Sequence, residues 1–223
     1  MRPEAGGTSR AVETAPEDEA FDASAVLGRV QRLARLDTTV FDEVRDASKQ
    51  TIPAAVVMVL RIVLAGVGGW LWLAIEFDGL DTGKILIKEL VLGSAFAVAL
   101  WIAWALITQV VLLNAFRVEA DRMALLRCMS FAAAPAALML LMLIPTLSFG
   151  IGATSLVAWF VLTNYAIQSA APSATGNQVL ISNMAGFFVF AVVLSILADI
   201  EGLAPGVFAH GADLNAYFSF SFS

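Results

Sequence analysis

The stretch that decides the fold is residues 128–198, which read CMSFAAAPAALMLLMLIPTLSFGIGATSLVAWFVLTNYAIQSAAPSATGNQVLISNMAGFFVFAVVLSILA. It contains no Asp, Glu, Lys or Arg. It is far longer than the roughly 20 residues that one helix needs to cross the hydrocarbon core of a bilayer. Because lipid leaves unpaired backbone groups unsatisfied, helices are the structure to expect. A tight turn at Ser148-Phe149-Gly150 and a polar loop at 171–177 divide the stretch. It therefore predicts three consecutive transmembrane helices, at 128–147, 151–171 and 179–198.

Two more apolar stretches precede this one. Residues 52–74 hold a single charged residue, Arg61, and residues 90–113 hold none. Hydrophobic residues make up 59% of the chain and charged residues 14%, against roughly 25% charged residues in a soluble domain. The sequence predicts an all-α polytopic integral membrane protein, with a bundle of five transmembrane helices over 52–198. The short turn at Phe149 leaves one alternative, a helical hairpin that dips into one leaflet in place of two full spans. The formal net charge of −6 argues against a nucleic-acid partner.

The N-terminal quarter is polar and falls into two parts. Residues 1–23 lack hydrophobic periodicity and are predicted to be a disordered cytoplasmic tail. Residues 24–51 are predicted to form amphipathic juxtamembrane helices. In the first of these, apolar residues recur at helical spacing between three basic ones, Arg29, Arg32 and Arg35. Such a helix can lie on a membrane surface, with the basic residues near anionic headgroups, or it can pack on protein.

A second short helix is expected to follow directly. Asp37 is predicted to cap its N-terminus. Val40, Phe41 and Val44 would then form the apolar stripe of this helix.

Lys and Arg set the expected orientation. They are frequent before the first span and in the loop between the second and third spans, and none follows Arg127. Since cytoplasmic segments carry the excess of Lys and Arg, we expect a cytoplasmic N-terminus and an external C-terminal tail, residues 199–223. The tail is expected to be a loose end, unless its aromatic residues rest at the interface.

Arg61 is the one ionisable side chain deep inside a predicted span, about 13 Å from the cytoplasmic edge at roughly 1.5 Å per residue. Polar residues of later spans reach a similar depth: Gln109, Asn164, Gln168 and Asn183. They could line a polar cavity that binds a solute or lipid. They could instead satisfy Arg61 and hold the helices together. We expect Arg61 to point into the bundle, with Asn164 or Asn183 within hydrogen-bond reach.

Signals for catalysis and for metal or cofactor binding are absent from the sequence. It contains no glycine-rich phosphate loop with a Lys, no paired intramembrane carboxylates and no His beside a Ser. One His and one Cys leave little for a metal site. We therefore expect no enzyme activity, no metal and no cofactor. Pro135 and Pro145 are expected to kink the third span.

Two segments resemble a known family. Residues 35–44, RLDTTVFDEV, resemble the opening of the Yip domain in its bacterial branch. Residues 131–135 with 143–145, an alanine-proline step followed by isoleucine-proline, resemble the pattern of that family's third helix, and the polar loop 173–177 resembles its last connection. The resemblance covers about residues 33–198. It implies a five-helix membrane domain with a cytoplasmic N-terminus, and a bacterial member implies the cytoplasmic (inner) membrane. In eukaryotes the family is linked to Rab-type GTPases, but no segment here matches the eukaryotic motifs.

The first functional expectation is a non-enzymatic membrane protein that binds lipids or protein partners and organises the membrane or a membrane complex. Its expected partners are anionic lipid headgroups and other membrane proteins, and a homo-oligomer is possible. The alternative is a small transporter or channel for an anionic solute that uses the polar region around Arg61. A continuous polar cavity open to one side would favour transport, and a well-packed bundle would favour binding.

Overall fold

The computed structural model describes residues 23–47, 49, 51–77, 79, 81–203 and 205–211, and within them every regular element is helical. Two short helices, α1 (Ala23–Ala34) and α2 (Val40–Asp46), precede five long ones. The long helices are α3 (Thr51–Glu76), α4 (Thr82–Phe116), α5 (Arg122–Leu143), α6 (Pro145–Ala170) and α7 (Gly176–Glu201). Each of the five is long and apolar enough to cross a membrane. The predicted all-α bundle of five membrane-spanning helices is confirmed.

The helices extend beyond the predicted apolar spans because polar caps decide where they begin. The Asp81 side chain accepts hydrogen bonds from two backbone N–H groups at the start of α4, and Asp121 accepts one at the start of α5. Thr175 and Gln178 form a reciprocal capping box at the start of α7. Such side chains satisfy the backbone N–H groups that a helix leaves unpaired in its first turn. Hydropathy therefore located the spans, whereas the caps fix their first residues.

The predicted turn at 148–150 is wrong. The chain breaks instead at Ile144, whose backbone is extended (φ −90°, ψ 101°). Pro145 follows directly, and the ring of a proline disfavours the α conformation of the preceding residue. Gly150 consequently lies inside α6.

The two helices that meet at this break are each long and apolar enough to cross a membrane. In α5 an α-helix ends at Ala132, and a 3₁₀ helix runs from Ala134 to Leu143 with Pro135 in its first turn. Because a 3₁₀ helix rises about 2.0 Å per residue and an α-helix about 1.5 Å, α5 is about 36 Å long. That exceeds the ~30 Å hydrocarbon thickness. Pro135 thus changes the helix type within a span, whereas Pro145 opens the next span.

Close packing of the bundle depends on two glycines. A Cβ on Gly68 of α3 would clash with the backbone carbonyl of Met139, in the 3₁₀ part of α5. A Cβ on Gly186 of α7 would clash with the side chain of Trp104 in α4. Small residues let helix backbones approach each other, which is a recurrent basis of helix association in membranes.

The chain returns to the bundle after α7. Residues Gly206–Gly211 form a 3₁₀ turn, here called the C-terminal turn. It contacts α3, α5, α6 and α7. Its His210 ring stacks on Trp72 of α3 at 3.9 Å between centroids. The expectation of a loose C-terminal end is wrong for these residues.

Candidate functional site

Arg61 lies inside the bundle, as predicted. Its residue surface is 3% exposed. The guanidinium Cζ lies 3.7 Å from the ring centroid of Trp159 in α6, and Nη2 donates to the sulfur of Met58 at 3.1 Å. A desolvated cation over an indole ring is stabilised by roughly 2 kcal/mol. That offsets a large part of the roughly 3 kcal/mol that an Arg costs at the centre of a spanning helix on insertion scales.

The predicted amide partners of Arg61 are wrong, because the amide N–H groups bind elsewhere, although Asn164 Oδ1 is buried without a partner among the described residues. Asn164 Nδ2 donates to the carbonyl of Phe160, one turn earlier in its own helix, at 3.0 Å. Asn183 accepts from the indole N–H of Trp104 at 3.0 Å and donates to the same Phe160 carbonyl at 3.2 Å. These bonds join α4, α6 and α7 to one another.

The two glutamines also lie apart from Arg61. Gln109 Nε2 donates to the carbonyl of Ala120, which precedes α5, at 3.3 Å. Gln168 Nε2 donates to the carbonyl of Ala174, which precedes α7, at 2.9 Å. Both side chains satisfy carbonyls of the connecting segments. The predicted polar cluster of Arg61, Gln109, Asn164, Gln168 and Asn183 does not assemble.

Three hydrogen-bond donor atoms are left without an acceptor where Arg61 meets Trp159. Arg61 Nε and Nη1 and the indole Nε1 of Trp159 are buried, and none has an acceptor among the described residues. Both side chains line a cavity of about 20 Å³. Its other walls are apolar: Ile62, Ala65, Ala97, Ala136, Met139, Phe190, Leu194, Pro205 and Phe208. Such a cavity has room for about one water-sized species.

Arg61 also borders a larger groove on the outside of the bundle. This α1–α3 groove has a volume of about 410 Å³. Its lining is Ala23, Val26, Leu27 and Val30 of α1, Val56, Val57, Leu60, Arg61 and Leu64 of α3, and Ala134 and Ala137 of α5. Leu27 and Leu60 are 57% and 55% exposed. Apart from Arg61, every residue that lines the groove is apolar.

The basic face of α1 is turned toward carboxylates of the same chain. Arg32 donates to Asp37 and to Glu43, both at 2.7 Å, and Arg29 lies 4.0 Å from Glu43. Arg35 is exposed. Hydrogen bonds from Thr39 and from Arg32 hold the pKa of Asp37 below its usual value. Asp37 was predicted to cap α2, but the residue before α2 is Thr39, and no side chain caps that helix.

The helix α2 is anchored on the bundle. Its predicted apolar stripe is confirmed, since Val40, Phe41 and Val44 are fully buried. The guanidinium of Arg127 in α5 donates to the carbonyl of Val44 at 3.2 Å and to that of Arg45 at 2.6 Å. Arg127 thereby satisfies carbonyls that the end of α2 leaves without helical partners.

A second group of polar residues, at the opposite end of α3, was missed by the sequence analysis. Lys88 and Glu89 precede the predicted span at 90–113, but they lie in α4, within a π-helical segment (Leu86–Gly93), and are 2% and 0% exposed. Lys88 Nζ donates to the carbonyl of Glu201, the last residue of α7, at 2.8 Å. Asp81 could have revealed them, because a capping residue at that position indicates that the helix begins before Lys88 and Glu89.

At the same end of α3, a serine and a histidine that are 62 positions apart in the sequence lie side by side. Ser148 Oγ lies 3.0 Å from His210 Nε2 and 2.8 Å from the carbonyl of Pro145. Nδ1 of His210 makes no hydrogen bond of good geometry among the described residues, although the backbone of Val207 lies close enough to act on the ring, and Ser148 is 3% exposed. A nucleophilic serine needs an accessible hydroxyl and a third group that orients the histidine. The Ser148 hydroxyl is buried and bonded to the Pro145 carbonyl, and the pair joins the C-terminal turn to α6.

Comparisons of the chain with protein families, with curated proteins and with solved structures found no match. The resemblance to the Yip domain therefore stays a prediction from residues 33–198. The protein is a multi-pass membrane protein with five candidate spans.

Proposed function

We propose that this chain is a non-enzymatic, Yip-domain-like protein of the cytoplasmic (inner) membrane that binds a membrane lipid and thereby organises the membrane or a membrane complex. The single observation that carries the proposal is the α1–α3 groove. Its walls are apolar, its volume is about 410 Å³, and α3 is a membrane-spanning helix. The occupant we assign is an acyl chain of a lipid.

The chemistry of α1 supports this occupant. Val26, Leu27 and Val30 face the groove, while Arg29 and Arg32 on the same helix pair with carboxylates. A helix that is apolar on one side and charged on the other lies naturally at the boundary of the hydrocarbon. An acyl chain between α1 and α3 would pack against the apolar side chains that line the groove.

The orientation that we propose puts the groove in the cytoplasmic half of the membrane. The groove residues of α3 lie in its first half, Val56 to Leu64, and the N-terminus of α3 is the end predicted to face the cytoplasm. Arg35, exposed just after α1, is then placed near anionic headgroups of that leaflet. We also propose that other membrane proteins, or a second copy of this chain, bind through the same exposed apolar surface.

Native mass spectrometry of the protein released from lipid nanodiscs tests the proposal. Ala137→Trp places a large side chain in the groove, and Ala158→Trp places the same side chain on α6, away from the groove. We expect the wild type and Ala158→Trp to retain a lipid adduct, and Ala137→Trp to lose it at least fivefold. Equal retention by both variants would refute lipid binding in the groove.

Transport of an anionic solute is the second candidate function, and the buried charge of Arg61 is what favours it. A polar route would have to connect Arg61 to one side of the membrane. The four amide side chains proposed for such a route bind carbonyls and an indole elsewhere. Lipid binding is therefore the function that the geometry supports better.

A further inference from the structure

We propose that the cavity between Arg61 and Trp159 binds one small monovalent anion of halide size. The proposal is independent of lipid binding, because it concerns the interior cavity and not the α1–α3 groove. It assigns to Arg61 a fixed ligand within the folded bundle, with no passage across the membrane.

The composition of the cavity wall is the first argument. The residues that line the cavity include the two that carry unpaired donors, Arg61 and Trp159, and none of them has a side-chain oxygen. Buried N–H groups in proteins almost always have a partner. The species missing from this cavity must therefore be an acceptor.

Charge is the second argument. Met58, which accepts from Nη2, and Trp159, which lies under the guanidinium, are both neutral. None of the salt bridges found in the described chain involves Arg61; they join residues of α1, α2 and the segment between them. A cation without a counter-ion inside a membrane protein is expected to pair with an anion or to reach water. A water molecule would satisfy the donors, but it would leave the positive charge without a counter-ion.

Size decides which anion fits. The volume of about 20 Å³ exceeds by a small margin the ~10–15 Å³ that one water needs. Among anions, a halide, which is a single atom somewhat larger than water, comes closest to this size. A phosphate or a carboxylate-bearing lipid headgroup has several heavy atoms and does not.

Thermal unfolding of the full chain in detergent, followed by tryptophan fluorescence, tests the proposal. The protein is exchanged into sodium gluconate and then titrated with sodium chloride or sodium bromide at constant ionic strength. At a halide concentration about tenfold above the dissociation constant, linkage predicts a saturable rise in Tm of about 3–6 °C. Constant ionic strength removes the general screening effect of salt.

Three variants locate the effect. Arg61→Met should lose the halide-dependent rise in Tm. Ala97→Val should lose it too, since Ala97 lines the cavity but not the groove, and Arg61 is kept. Arg122→Met removes an exposed arginine from the start of α5 and should keep the full rise.

The halide site is overturned if the wild type gives the same Tm in chloride and in gluconate, in which case the cavity holds water alone. It is also overturned if Ala97→Val keeps the wild-type rise. If Arg61→Met does not fold, Ala97→Val decides, because it leaves every charge in place. Lipid retention by Ala97→Val should be normal, so failure here leaves lipid binding in the groove standing.

Discussion

Gly68→Ala should destabilise the bundle strongly, although alanine is the better helix former. In a helix interior the exchange gains about 1 kcal/mol from backbone propensity. At Gly68, however, the new methyl group would meet the carbonyl oxygen of Met139, and it would lie 2.8 Å from the carbonyl carbon of Met139 and 3.0 Å from Cα of Leu140. All three are backbone atoms, so no side-chain rotation relieves the contact.

The size of the effect follows from these distances. Carbon atoms pack at about 3.5–4.0 Å, so α3 and α5 must separate by roughly 1 Å. Overpacking of a filled interior costs about 1–3 kcal/mol, and the separation also weakens neighbouring contacts of the two helices. We expect a net loss of about 2 kcal/mol in the free energy of unfolding, or about 4–8 °C in Tm.

Gly150→Ala is the matched control. Gly150 lies in α6, is exposed, and has no heavy atom within 4 Å of an added Cβ. The same exchange there should leave Tm unchanged or raise it slightly. Both variants and the wild type are compared by thermal unfolding in one detergent. If Gly68→Ala is as stable as Gly150→Ala, the close contact between the α3 and α5 backbones is refuted.

Three further predictions concern α1, α2 and the orientation of the chain. Arg127→Met should leave the carbonyls at the end of α2 unsatisfied, at a cost of about 1–3 kcal/mol, and hydrogen exchange should rise in residues 40–46; unchanged exchange there would contradict the capping role. The pKa of Asp37 is lower in the folded protein than its unfolded value of 3.8. The ionised carboxylate therefore stabilises the fold above pH 3.8, and this stability is lost as the pH falls through the folded pKa. The amides of α1 should exchange faster in acid, and Asp37→Asn should show that faster exchange already at pH 7. With Cys128 replaced by alanine, a cysteine placed at Ser223 should react with an impermeant reagent only from outside the cell; reaction only from the cytoplasm would remove one crossing from the five-helix topology.

The number of spans could be predicted from the sequence because hydropathy acts over a whole segment. In residues 128–198 each transmembrane helix needs its own length of apolar chain, and a few polar residues do not change that requirement. The fully buried stripe of α2 was predictable for a similar reason. Its three apolar residues recur at the helical period, and that period sets which face is buried.

The ends of the helices and the partners of Arg61 could not be predicted in this way. Helix ends depend on single capping side chains such as Asp81. A hydropathy pattern indicates only that Asp81 is charged and lies outside the span. The amides were assigned to Arg61 by depth alone. Depth does not fix the rotation of a helix about its own axis, and Asn164 and Asn183 both turn toward the carbonyl of Phe160.

Pairs that are distant in sequence leave no local signal. Ser148 and His210 are 62 positions apart, and nothing in the chain between them indicates that the C-terminal turn packs against α6. In the same way, Arg127 can anchor α2 only because the end of α2 lies beside α5. Such contacts follow from the packing of the finished bundle.

The C-terminal turn also has a consequence for the order in which the protein is assembled. The ribosome makes residues 206–211 after every helix that they touch, so the turn can dock only once α3, α5, α6 and α7 are already in the membrane. It must then pack Phe208 near Phe190 and lay His210 on Trp72. The last segment of the described chain to be synthesised is thus the one that closes this end of the bundle, and until it docks, Trp72 and Phe190 lack these ring contacts.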